Sequence, residues 1–379
     1  MIYADNAATT KISDLALEKM LPWLQEQYGN ASSNHSFGAR AKRAIEHARK
    51  QVAAAIGAKP DEITFTSSGS ETNNWILRSI ADIFHREVIH LITSSIEHHS
   101  ILNICHELEN GNIEITYLPV DNAGRVSVDD VKLAIKSNTK LVSIMLANNE
   151  VGTIQPIADI GRLLKDRGII FHTDAVQAAG HIPINVDDLQ VDLLTASAHK
   201  FNGPKGTGIL YKRSDIKVCP AIFGGKQEHG LRAGTENVAG IVATGYAIEE
   251  SISNMNQTAN NAKTIVNETI IGIQSKIPVV KVNSNNKNGL PGIISLTFED
   301  ILGESIMHLL DLKGICISTG SACTSDKDEP SHVLLAMGLM EEQAKSSIRI
   351  SYGRYNTIED AKSIASAICD AYEKIKNSR

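Results

Sequence analysis

The chain has 379 residues, 42% hydrophobic and 21% charged, an ordinary balance for a soluble globular protein and long enough that two domains around one shared site are expected. A net charge of −6 and an aromatic content of 4% supply neither the basic footprint nor the stacking platforms that nucleic acid requires. The first residues lack a basic stretch followed by an apolar one, and no run reaches the ~18 apolar residues of a membrane helix, so the expectation is a cytoplasmic protein without a membrane partner.

In chain order, the first fifteen or so residues are expected to join a smaller domain. From 63 to 212, short β-branched runs alternate with helical patterns, with strands expected at 63–65, 88–93, 113–117, 141–146, 169–173, 193–197 and 208–211. Helical crossovers between them make most of these strands parallel. Residues 236–277 carry few helix breakers and read as mostly helix. A strand at 293–298, a helix at 301–312, a cysteine-bearing loop and a strand at 347–351 follow. A last helix starts near 357, with Ala361, Ile364, Ala365, Ile368 and Tyr372 on one face. The fold class is therefore α/β: a mostly parallel seven-stranded sheet in a large domain, 16–255, and a smaller α+β domain made of 1–15 and 256–379.

Ligands of such sheets collect beyond the carboxyl ends of the strands. The polar residues of this chain gather there. Ser67-Ser-Gly-Ser70 follows the first strand and Glu97-His98 the second. Asn148-Asn149 follows the fourth, Asp174 the fifth and His199-Lys200 the sixth.

Lys200 stands between a strand and the turn Gly203-Pro-Lys-Gly-Thr-Gly208. A lone lysine is ordinarily a solvated surface group, but desolvation and neighbouring positive charge fit this one to attack an aldehyde. Asp174 lies 26 residues earlier. It is placed to cap the next turn or to hold a pyridinium nitrogen, and the second role fits pyridoxal phosphate, with Gln177 one turn on facing the phenolic oxygen. Ser67-Ser-Gly-Ser-Glu-Thr72 lies between a strand and a helix, where free N–H groups favour an anion, and reads either as an N-cap or, with Ser197 and His199, as a phosphate cup. Between His98 and His99, residue physics alone does not choose the proton relay. Five scattered cysteines argue against a disulfide framework, and no metal site is expected. Cys105, Cys219, Cys316 and Cys369 read as buried small hydrophobes. Cys323, in a stretch with no large apolar residue, reads as an exposed reactive thiol.

Further motifs are Asp5-Asn-Ala-Ala-Thr-Thr10, Asn30-Ala-Ser-Ser-Asn-His35, Asn148-Asn-Glu-Val-Gly152, Gly230-Leu-Arg-Ala-Gly-Thr-Glu-Asn237, Ser321-Ala-Cys-Thr-Ser325 and Ser347-Ile-Arg-Ile-Ser351. With those above, they make a chain that resembles the NifS/IscS-like cysteine desulfurases, fold-type I, aminotransferase-like enzymes that use pyridoxal 5'-phosphate. The Ser-Ala-Cys-Thr-Ser form resembles the group with a long cysteine loop, whose excursion between substrate and acceptor requires motion.

The resemblance implies that Lys200 holds the cofactor, Asp174 its ring nitrogen and Gln177 its phenolic oxygen. Gly69, Ser70, Ser197 and His199 would hold the phosphate, joined by Thr235 from the second subunit of a homodimer. His98 would stack on the ring and shuttle protons. Asn149 would contact both cofactor and substrate, Arg349 and Asn34 would hold the substrate, and Cys323 would be the nucleophile. L-cysteine would leave as L-alanine, and the persulfide on Cys323 would pass to an acceptor protein, an iron–sulfur scaffold or a thiolation protein. Ala31 and Lys11 depart from prolines common in the family, and Lys226 from a glycine. An aminotransferase or a selenocysteine lyase on the same fold is the nearest alternative, and a sulfur-relay scaffold is a more distant one. An aminotransferase has no need of Cys323.

Overall fold

The computed structural model describes residues 1–109, 111–284, 289–320 and 329–378. Its strands are β1 Ile2–Tyr3, β2 Ile63–Thr66, β3 Ile89–Ser94, β4 Ile113–Leu118, β5 Thr139–Ser143, β6 Ile170–Asp174, β7 Leu193–Ser197, β8 Gly208–Lys212, β9 Lys281–Val282, β10 Ile293–Thr297, β11 Ile315–Cys316 and β12 Ser347–Ser351. The large sheet runs β2-β8-β7-β6-β5-β3-β4. Six of its strands run in the same direction, and β8 alone is reversed, antiparallel to both β2 and β7. Helices cover both faces of such a sheet, so the strands are apolar throughout rather than alternating. All residues of β2, β3 and β7 are buried.

The reversal that makes β8 antiparallel begins just after Lys200. Asn202 takes a left-handed conformation (φ 62°) and Gly206 another (φ 79°), so the chain doubles back within a few residues. Asn202 is held there by its N–H to Thr10 Oγ1 at 2.9 Å and its side-chain amide to the Lys11 carbonyl at 2.8 Å. The N-terminal segment thus braces the turn that follows the lysine.

A second, three-stranded sheet has the order β12-β10-β9, and β10 and β12 are antiparallel with Ser295 opposite Arg349. β1 pairs in parallel with β11, and Asp5 bridges to Ser351. The two largest apolar cores belong to these two sheets. One holds Ile92, Val142, Phe171, Leu194 and Ile209 from the large sheet, and the other holds Ile294, Leu296, Ile348, Ile350 and Ile368. The helix Val238–Gln274 joins them: Ile241 and Ala247 belong to the first core, Ile265 and Ile273 to the second. Residue 255 lies inside that helix.

One feature differs from the sequence reading. Cys105 and Cys369 are buried, but Cys219 and Cys316 are only half-buried, since they lie in a loop beyond β8 and in the short strand β11 rather than on an apolar helix face. The segment 226–230 contains two left-handed non-glycine residues, Glu228 (φ 45°) and His229 (φ 59°). Arg49 holds this turn. Its guanidinium donates to both Glu228 carboxylate oxygens at 2.8 and 2.9 Å and to the Ile63 carbonyl at 2.7 Å, while the Phe65 N–H donates to Glu228 Oε2. Among the described residues, no helix is long and apolar enough to cross a membrane.

Candidate active site

A cavity of about 360 Å³ opens at the carboxyl ends of β2, β3, β6 and β7. Gly69, Ser70, His98, Asn149, Asp174, Gln177, Ser197, His199, Lys200 and Arg349 line it together, so residues spread over 281 positions converge on one space. Thr235 does not reach this cavity. It lines a separate one with Ser67, Gly206 and Arg232. Asn34 is exposed and is not among the lining residues. Cys323 lies outside the described residues.

Each wall follows from local structure. Ser68 caps the helix Gly69–Ile83, its hydroxyl accepting from the Glu71 N–H at 3.1 Å. Gly69 opens that helix close to the strand ends, and a Cβ there would meet Val176 at 2.7 Å. Only glycine leaves this corner free. Beyond the end of β3, His98 caps the helix His99–Leu108, its Nδ1 accepting from the Ser100 N–H at 3.1 Å. Because that N–H can only donate, Nδ1 carries no proton and Nε2 does. Burial lowers the His98 pKa, and the positive charge of Lys200 lowers it further against the opposing pull of Asp174.

Asp174 ends β6. Its Oδ1 accepts from the Val176 N–H at 2.9 Å and its Oδ2 from the Asn73 amide at 2.7 Å. Gln177 Oε1 is buried and has no hydrogen-bond partner. Lys200 Nζ donates to the carbonyl of Ala7 and to that of Ala8 at 2.8 Å. His199 bonds Thr9 Oγ1 at 3.1 Å, and burial with Lys200 and Lys205 nearby brings its pKa down to about 4. A neutral His199 is a hydrogen-bonding group rather than a cation.

Arg349 occupies the middle of β12 with its side chain 2% exposed. It donates to Asp5 Oδ1 at 2.7 Å and to the Asn149 carbonyl at 3.2 Å, while its Nε is buried without a partner. A buried, partly unpartnered guanidinium suits a carboxylate ligand.

Several residues of the site were absent from the sequence reading or had no role in it. Asn73 sits one turn into the helix that starts at Gly69, and that spacing was the available signal. Glu97 is fully buried, accepts from the Ser94 hydroxyl at 2.6 Å and the Met145 N–H at 2.9 Å, and has a pKa pushed up by burial to about 8. Glu150 accepts from the Ser331 hydroxyl, and burial raises its pKa to about 7 despite Arg349 nearby. His332 stacks edge-on against His99 at 4.7 Å. Nothing local to residues 150 or 332 announces these contacts.

The chain matches the Aminotransferase class-V family over residues 2–364. It is 48% identical over 375 residues to the cysteine desulfurase IscS of Dictyoglomus turgidum, covering 99% of this chain and 95% of that one. Among solved structures, a NifS-like protein superposes with a TM-score of 0.93 at 38% identity, covering 98% of this chain and 99% of that one. SspA in complex with cysteine superposes with a TM-score of 0.85 at 39% identity, covering 94% and 100%. The α/β architecture, the converging strand-end residues and these matches agree, and the chain belongs to the aminotransferase class-V family and, within it, to the NifS/IscS-like cysteine desulfurases.

Proposed function

We propose that this enzyme binds pyridoxal 5'-phosphate in the strand-end cavity and uses it to convert L-cysteine to L-alanine, leaving the sulfur as a persulfide on Cys323. The observation that carries the reading is the donor set. A buried carboxylate (Asp174), a buried amide oxygen without a partner (Gln177), a lysine amine and a helix start cleared by Gly69 share one cavity of suitable size. These residues fit the cofactor. When bound, pyridoxal phosphate supplies an electron sink for the pair left at the substrate α-carbon.

The protein's own residues do the rest. Lys200 attaches the cofactor and moves the α-proton, Asp174 keeps the pyridine nitrogen protonated, and Gln177 meets the phenolic oxygen. Gly69, Ser70, Ser197 and His199 take the phosphate, with Thr235 reaching over from a second subunit. His98 covers the ring and passes protons through Nε2. Arg349 orients the substrate carboxylate, helped by Asn149. The Cys323 thiolate forms a bond to the cysteine sulfur as the Cβ–S bond breaks. The electron pair of that bond stays with the carbon skeleton, which takes up a proton and leaves as alanine. One thiol and one cysteine therefore give one persulfide and one alanine, with no external oxidant.

The reading extends to a cytoplasmic homodimer that hands its persulfide to an acceptor protein, an iron–sulfur scaffold or a thiolation protein. Residues 16–255 would form the cofactor-binding unit, and 1–15 with 256–379 the unit that carries Cys323. The deciding experiment compares wild type with Cys323→Ala on free L-cysteine. The variant is expected to bind pyridoxal phosphate and give a cysteine-dependent spectral change while forming almost no alanine or persulfide. Turnover near the wild-type rate would place the nucleophile elsewhere.

A further inference from the structure

We propose that Asn73 is a positioning residue that fixes both the orientation of the Asp174 carboxylate and, through the Ser100 hydroxyl, the second donor to His98 Nδ1. Its amide nitrogen donates to Asp174 Oδ2 at 2.7 Å and to Ser100 Oγ at 2.9 Å. Asn73 is 1% exposed, and its Oδ1 is buried with no partner. Burying an amide oxygen unpaired is unfavourable, so the arrangement persists for what the two N–H groups do. The opposite orientation of the amide would set Oδ1 against Asp174 Oδ2, oxygen to oxygen, and is excluded.

The direction of the remaining bonds then follows. Ser100 Oγ lies 2.8 Å from His98 Nδ1, and the Ser100 backbone N–H already donates to the same nitrogen. Nδ1 is thus an acceptor, so the Ser100 hydroxyl donates to it and must itself accept, which it does from Asn73. One amide on the helix Gly69–Ile83 therefore ties together a carboxylate at the end of β6 and an imidazole that caps the helix after β3. Asp174 and His98 are locked in one frame, and His98 is held neutral with its proton on Nε2. Both hydroxyl and backbone donors at Nδ1 oppose the imidazolium form.

The Asp174 half of this inference rests on the cofactor reading above, while the His98 half does not. The full chain, freed of cofactor, is titrated with pyridoxal phosphate by visible absorption. Asn73→Ala is expected to weaken binding about tenfold in the wild-type background, as expected for a lost bond to a charged group. In an Asp174→Ala background it should weaken binding less than about twofold, because the partner it acts through is gone. Asn73→Thr, which keeps part of the volume but not the reach, is carried through the same cycle and must behave alike. An equal loss in both backgrounds overturns the Asp174 half. Absence of binding by the wild type overturns the cofactor reading together with that half.

The second readout is the His98 ring titration, by NMR of the full chain with labelled histidine. Asn73→Ala, which releases the Ser100 hydroxyl, and Ser100→Ala, which removes it, both leave Asp174, Lys200, His99 and His332, the charged and titratable groups facing His98, in place. The midpoint is expected to rise by roughly half a unit as one donor to Nδ1 is removed. An unchanged midpoint overturns the His98 half.

Discussion

Arg349 and Asp5 form a 2.7 Å ion pair across 344 positions of sequence, and the guanidinium also reaches the Asn149 carbonyl. Held at these two points, the guanidinium leaves the substrate carboxylate it is proposed to bind little freedom to take a wrong pose. Asp5→Asn is expected to raise KM for cysteine by about tenfold with kcat changed less than threefold, since the arginine loses its brace and not its charge. Arg349→Lys should lose about 100-fold in kcat/KM, because a point charge cannot serve the fork's partners together. Steady-state alanine formation measures both.

Lys200 is expected to carry the cofactor. Borohydride reduction of the holoenzyme followed by peptide mapping should find the pyridoxyl label on Lys200. A label on Lys205 or Lys212 would mean that the amine held at the Ala7 and Ala8 carbonyls serves another purpose.

Thr235 faces a different cavity from Lys200 within one chain. If each site borrows it from a second subunit, mixing Thr235→Ala chains with Lys200→Ala chains restores activity through sites that have both groups intact. Verified heterodimers with no recovered activity would refute the sharing.

Glu97 makes stability depend on pH in a defined direction. Its folded pKa of about 8 lies above the ordinary value of 4.5, so between those limits the folded state holds a proton that the unfolded state has released. Stability from this group therefore falls as pH rises from 4.5 to 8, by an amount on the order of a few kcal/mol. Glu150, with a pKa raised to about 7, has the same sign. Histidines work oppositely: His172, held near 3 by burial, adds stability as pH rises toward its ordinary value. Glu97→Gln should be more stable than wild type at pH 8 and nearly equal at pH 5. Urea midpoints across that range test it.

Arg49 and Glu228 are both almost fully buried, with side chains 3% and 4% exposed. Removing one partner strands the other charge and releases a turn whose Glu228 and His229 are already in left-handed conformations. Arg49→Ala is expected to cost about 3–5 kcal/mol, seen as a lower Tm. The double variant with Glu228→Ala should recover part of that loss.

Much of this was legible in the sequence, for physical reasons. The large-sheet strands appear as β-branched runs because they are buried on both faces, and the polar residues mark their carboxyl ends because the chain must turn there. Lys200, Asp174 and the Ser67–Ser70 segment could be read for the same reason. The direction of β8 could not, because it depends on Asn202 being braced by Thr10, a contact across 192 positions. Asn73 and Glu150 were missed likewise: their partners Asp174 and Ser331 lie 101 and 181 residues away. A side chain whose role is to orient another has no local periodicity to betray it.

The pairing of Asp5 with Arg349 also bears on the order in which the molecule is made. A ribosome adds Arg349 344 residues after Asp5, so the aspartate waits through that whole stretch of synthesis for its guanidinium. The residues proposed to hold the cofactor within one chain are all present by Lys200, whereas the proposed grip on the substrate carboxylate exists only once β12 has emerged and closed against the N-terminal segment. A chain that stops short of β12 thus carries the residues proposed for the cofactor cup but lacks the arginine proposed to seat an amino acid in it. The proposed grip on the substrate therefore forms later in synthesis than the proposed cofactor cup.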